Sequence, residues 1–253
     1  MKVCFLGTSS AIPYAGNGYT SFLLENAGRL VLIDTGDNAV KSILEAGRDP
    51  MLLDALVLTH EHADHLGGLP SLIAALDCMK RGKKLVVIAS PRLRMKALTL
   101  LSLFDIIEDK LSFELEFVTQ WQTDDAHIEL LAGNHSAETM MPRFSGTDDA
   151  LLYTADIRYK AGQYMPYADT CQTLIHEATY ANSSLPLDTG HSSALQAGMA
   201  ASEIGAKRLF LCHFQNDAYE SVDAPRLEAA RSFGGEIIIP RLLRWYSIKE
   251  RAK

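Results

Sequence analysis

A chain of 253 residues, 47% of them hydrophobic, can bury a full core and stands at the upper end of what one domain carries, so one domain over residues 1–253 is expected. The formal net charge of −7 excludes a broad basic surface for gripping nucleic acid. Four scattered cysteines (Cys4, Cys78, Cys171, Cys212) lack a Cys-x-x-Cys pair, which argues against a disulfide framework or a zinc knuckle.

The opening MKVCFLGTSS lacks the apolar core of a secretory signal, and no apolar stretch reaches bilayer length. A cytoplasmic protein without a membrane partner is therefore expected. Strand-like runs follow at KVCFL, TSFLLE and RLVLID, and then helical periodicity over Asn38–Ala46. DALVLTH reads as a strand, Leu66–Lys80 as a helix, KLVVIAS as a strand and Arg92–Phe104 as a helix. ELEFV, HIELLAG, ALLYTAD and TLIHEAT are further strands. The helix Ser192–Ile204, the strand RLFLCHF, the helix Ala224–Ser232 and the strands EIIIP and RWYSI complete the chain. Gly47, Gly82 and Gly205 are expected to close three of the helices. Basic clusters at Lys80, Arg81, Lys83 and Lys84, at Arg92, Arg94 and Lys96, and at Arg241 and Arg244 read as solvated ends of helices and strands. The alternation implies an α/β fold of two mixed sheets with helices on their outer faces.

Apolar strands repeatedly end in an acid or a histidine: Asp34 after LVLI, His60 after LVLT, His135 after LLAGN, Asp156 after LLYTA, Glu177 after LIH and His213 after LFLC. Strand ends can deliver such side chains from distant parts of the sequence to one rigid rim. The densest run is His60-Glu61-His62-Ala63-Asp64-His65, directly after a strand. Imidazole nitrogens with a carboxylate oxygen suit a borderline cation such as zinc, and a cluster of this density has no packing purpose. His127, at a strand start, reads as a surface residue.

The H-x-H-x-D-H run resembles the metallo-β-lactamase superfamily, which implies a four-layer αββα sandwich with a metal site between the sheets. Asp34 in VLIDTG resembles that family's first-motif aspartate, and His135 in AGNHS, Asp156 in YTADIRY and His213 in FLCHF match its later motifs in order. The resemblance implies one ion on His60, His62 and His135 and a second on Asp64, His65 and His213. Asp156 would bridge the two, and Asp34 would buttress the metal loop. The cofactor implied is two divalent ions, Zn2+ in first place, with Mn2+ or Fe2+ as alternatives.

LIHEATY, GHSSA and CHFQ resemble the ribonuclease Z-like branch in particular. By that resemblance Glu177 and His191 form an acid/base pair and Asp64 takes the proton of the attacking water, which the two ions share as hydroxide. One feature of the branch is missing. The tRNA-clamping arm found between the third histidine and the bridging aspartate is replaced by SAETMMPRFSGTDDALLYTA, enough for a hairpin turning at Ser145-Gly146. The expected substrate is a small or single-stranded phosphodiester; intact tRNA is not the expected substrate, and a homodimer is plausible by resemblance. A carboxylic ester, thioester or lactone hydrolase, or a metal-binding module without turnover, stay open as alternatives.

Overall fold

The computed structural model describes residues 1–147, 149–187 and 189–248. In chain order the first half contains β1 (Lys2–Gly7), β2 (Ser21–Asn26), β3 (Arg29–Ile33), α1 (Ala39–Glu45), β4 (Leu53–Val57), α2 (Ala63–Leu66), α3 (Leu69–Cys78), β5 (Leu85–Ile88), α4 (Pro91–Ser102) and β6 (Leu115–Val118). The second contains β7 (Gln120–Gln122), β8 (His127–Ala132), β9 (Met140–Ser145), β10 (Ala150–Tyr153), β11 (Thr173–Glu177), α5 (Ala194–Glu203), β12 (Arg208–Cys212), α6 (Ala224–Ala229), β13 (Glu236–Ile238) and β14 (Trp245–Ser247). They form two seven-stranded sheets, ordered β14-β1-β2-β3-β4-β5-β6 and β13-β12-β11-β10-β9-β8-β7.

Alternation along the strands explains the layers. Successive side chains of a strand point to opposite faces. In β1, Val3 and Phe5 pack between the sheets while Cys4 and Leu6 pack under helices; Val31 and Ile33 against Leu30 and Leu32 repeat this in β3, and Phe210 and Cys212 against Leu209 and Leu211 in β12. The middle layer is therefore an inter-sheet core with aromatic neighbours such as Phe5, Phe22 and Tyr153. The outer layers seat α1, α3 and α4 on one sheet and α5 and α6 on the other. At Gly198 in α5 an added Cβ would lie 2.5 Å from the Ala229 carbonyl oxygen, so only glycine lets α6 approach this closely. The four-layer αββα arrangement is the one expected.

β3, β4, β5 and β6 run parallel, as do β10, β11, β12 and β13. Their carboxyl ends share one rim, the place where α/β sheets present ligand sites. β9 and β10 form the expected hairpin across Ser145 and Ala150.

Three expectations need correction. The helix expected over Leu66–Lys80 is two helices, because Gly67 and Gly68 separate α2 from α3; a Cβ at Gly68 would lie 2.2 Å from the Thr35 carbonyl oxygen. Gly82 does not close the second of these; Lys80 adopts the left-handed conformation there, with φ 57°. Arg81 is not solvated but fully buried, its guanidinium donating to the carbonyls of Pro50, Met51, Leu53, Lys83 and Lys84. A buried cation is tolerable only when its donors are met in this way.

Candidate metal centre

Residues at the rim come from both sheets, and several leave their strands through strained backbone. Asp34 (φ 56°) follows β3, Ala155 (φ 51°) stands between β10 and Asp156, and His213 (φ 58°) follows β12. A non-glycine residue in the left-handed region costs of order 1–3 kcal/mol and persists only where its surroundings fix it. Here each kink turns a strand end toward the same spot. After β4 the chain stays extended to His62, the N-cap of α2, whose single turn swings Asp64 and His65 back toward His60.

Two groups of ligand atoms result. His60, His62, His135 and Asp156 form one, and Asp64, His65, Asp156 and His213 the other. In the first, His62 Nδ1 lies 3.1 Å from His60 Nε2 and 3.3 Å from His135 Nε2, and Asp156 Oδ2 lies 3.5 Å and 4.0 Å from those two Nε2 atoms. In the second, His213 Nε2 lies 3.4 Å from both His65 Nε2 and Asp64 Oδ2, and 3.3 Å from Asp156 Oδ2, while His65 Nε2 lies 3.4 Å from Asp156 Oδ1. Four ligands about 2.0–2.1 Å from a tetrahedral ion stand about 3.4 Å from one another, which is the spacing seen. Asp156 Oδ1 is buried with no hydrogen-bond donor among the described residues, an orphan that a cation would satisfy. The donor set thus fits metal binding, with Asp156 common to both groups.

The electrostatics of the first group agree. Burial pushes the pKa values of His60, His62 and His135 down, helped by neighbouring imidazoles, so these rings are neutral and can offer a lone pair. Burial works against ionised Asp64 and Asp156, but His213 and His65 outweigh it, holding Asp64 down at about 2 and Asp156 well below the carboxylate range.

Behind these atoms lies a layer of hydrogen bonds. Asp34 accepts from the Thr59 amide at 2.9 Å and faces His65 Nδ1 at 2.8 Å, a buttress that leaves its own oxygens engaged. His135 Nδ1 donates to the Gly190 carbonyl at 2.8 Å, and a Cβ at Gly190 would meet that ring nitrogen at 2.7 Å. Glu177 is buried and accepts from the Ile157 amide, the Thr179 hydroxyl and, at 3.1 Å, His191 Nδ1. Glu177, His191 and His213 also come within ligand reach of one another, yet the donors on Glu177 occupy its oxygens. Burial opposes charge on His191, but Glu177 and then Asp156 and Asp64 outweigh it, pushing the pKa up to about 9.

Every residue singled out from the sequence, Asp34, His60, His62, Asp64, His65, His135, Asp156, Glu177, His191 and His213, lies in this one cluster. His127 stands apart at the start of β8. His176, inside the LIHEATY run, is buried against the Tyr164 hydroxyl at 2.9 Å and points away from the cluster into its own core contact. Thr59, Thr179 and Gly190, which touch these residues, were not among the candidates read from the sequence. Their only signal was adjacency to the motifs.

A family model described as Anti-Pycsar protein Apyc1 matches residues 1–229. The chain belongs to that family. This Apyc1-family chain is 26% identical to the Ribonuclease Z of Methanothermobacter thermautotrophicus over 283 aligned positions, covering 91% of each chain. Its fold is similar to that of YhfI from Bacillus subtilis, a metallo-β-lactamase fold protein, at a TM-score of 0.82 and 22% identity over 97% of this chain and 98% of that one. It is also similar to the short form of human tRNase Z, at a TM-score of 0.79 and 19% identity over 99% and 100% of the two chains. The resemblance read from the motifs is thereby borne out, and the Apyc1-family chain is a metal-dependent hydrolase with the metallo-β-lactamase fold.

Proposed function

We propose that the chain is a dinuclear zinc phosphodiesterase acting on a small phosphodiester such as a nucleotide or cyclic phosphodiester, and not on intact tRNA. The observation that carries this is the pairing of His191 with Glu177 beside the two ligand groups: an imidazole pushed toward its cationic form suits an anionic substrate oxygen better than a neutral ester. Zinc is favoured because most of the donors are imidazoles, joined by carboxylates, at four-coordinate spacing.

His60, His62 and His135 would hold one ion and Asp64, His65 and His213 the other, with Asp156 shared. Bound there, the ions supply Lewis-acid neutralisation of the phosphoryl oxygens and a water of lowered pKa. Asp64, ionised near pH 7, is the carboxylate available to take that water's proton. His191 binds the substrate anion and donates its Nε2 proton to the departing oxygen, while Glu177 holds Nδ1 and thereby the ring. Asp34 keeps His65 oriented through its Nδ1.

The size of the substrate follows from what is missing. Residues 136–155, which contain the β9–β10 hairpin, are all that join His135 to Asp156 in the sequence. The alignment with the archaeal Ribonuclease Z is longer than this chain, so that relative carries segments this one lacks. With a net charge of −7, little counterion-release affinity remains for a long polyanion. The test is a panel of bis(p-nitrophenyl) phosphate, nucleotide diesters, precursor tRNA, a thioester and a lactone. The small diesters should turn over and precursor tRNA should be a poor substrate. Preference for the thioester or lactone would make the chain an acyl hydrolase, and single-site tRNA cleavage at nanomolar enzyme would overturn the size argument.

A further inference from the structure

Two buried threonines stand directly behind the ligand groups. The Thr59 hydroxyl lies 2.9 Å from Asp34 Oδ2 and 3.0 Å from His60 Nδ1. The Thr179 hydroxyl lies 2.5 Å from Glu177 Oε2 and 2.8 Å from His213 Nδ1. The two halves of the sandwich repeat one plan. Asp34 follows β3 and His60 follows its parallel neighbour β4; Glu177 ends β11 and His213 follows its parallel neighbour β12. Each carboxylate also reaches a second imidazole directly, Asp34 to His65 and Glu177 to His191.

The direction of these hydrogen bonds is forced. An ionised carboxylate only accepts, and a hydroxyl has a single proton, so each threonine donates to its carboxylate. Its lone pair then accepts from the facing Nδ1, which must carry hydrogen. A neutral imidazole has one such hydrogen, so Nε2 keeps its lone pair, and Nε2 is the atom that His60 and His213 present to the ligand groups.

We propose that Thr59 and Thr179 are positioning residues that set the tautomers of His60 and His213, one in each half of the sandwich, and so pre-form one ligand nitrogen for each ion. The inference rests on the ligand assignment above. In Thr179→Val the hydroxyl goes while the shape stays, the Nδ1–H loses its acceptor, and the tautomer with hydrogen on Nε2, unable to ligate, becomes accessible.

The experiment uses the full chain loaded with zinc, competed against a coloured chelator. Thr59→Val and Thr179→Val should each weaken one ion about 10–100-fold while keeping the other, and Thr59→Ser and Thr179→Ser should retain wild-type affinity. Nitrogen-15 spectra of histidine-labelled wild type, recorded after zinc removal, should show hydrogen on Nδ1 of His60 and His213. In each valine variant the corresponding ring should shift toward hydrogen on Nε2. Wild-type rings protonated at Nε2, or valine variants holding both ions as tightly as wild type, would overturn the proposal while leaving the ligand assignment in place. Wild type that binds no zinc would overturn both.

Discussion

At the scale of single residues, His191 and Glu177 separate leaving-group chemistry from metal binding. His191→Ala should slow cleavage of diesters with poor leaving groups by about 10²–10⁴ while metal content stays unchanged. The loss should shrink as the leaving group's pKa falls, since a good leaving group needs no acid. Glu177→Gln should cost less, and the double variant less than the sum, because residues acting as one unit are not additive. Loss of an ion in His191→Ala would make that ring a ligand. The ligand candidates were legible because histidine and aspartate are uncommon at the ends of apolar strands, and His60 to His65 packs four of them together. Thr59 and Thr179 were not. Threonine is ordinary in and beside strands, and the part it plays depends on what its hydroxyl meets from another segment.

Among the elements, the knot around Arg81 and Asp54 shows what holds the strand that carries the metal loop. Asp54, the second residue of β4, accepts from the Leu30 amide at 2.9 Å and pairs with Lys83 at 3.0 Å and Arg29 at 3.3 Å. Burial opposes its ionised form, but the Leu30 amide and the two cations outweigh it and lower the pKa. A depressed carboxyl stabilises the fold above its unfolded value of about 3.9, and that contribution fades as the pH falls through the folded value. Asp54→Asn should therefore cost about 1 kcal/mol at pH 7 in urea denaturation, with the gap to wild type closing below pH about 3.9. A gap that stays constant or widens on acidification would contradict this. The long strands were legible from alternation, but α2 and β7 were not, since four and three residues are too short for a period to show. Arg81 misled because a Lys-Arg-Gly-Lys-Lys run looks solvated, and three of the carbonyls that bury it, those of Pro50, Met51 and Leu53, come from a segment 28 to 31 residues earlier that the sequence does not place beside it.

Over the whole molecule, two sheets, each with a run of four parallel strands, bring residues as far apart as Asp34 and His213 to one rim. The layer order followed from periodicity. The pairing of ligands into two groups did not; it came from the resemblance of the motifs, since it depends on kinks at Asp34, Ala155 and His213 that periodicity does not announce. Phosphodiester hydrolysis is expected to need metal on both groups. The direct measurement is turnover of bis(p-nitrophenyl) phosphate during titration of metal-stripped protein with zinc, with bound zinc determined by elemental analysis. Activity should be negligible without metal and should rise until about two equivalents per chain are bound, as two ligand groups sharing Asp156 require. Full turnover by metal-free protein, or none by folded protein holding both ions, would contradict the account.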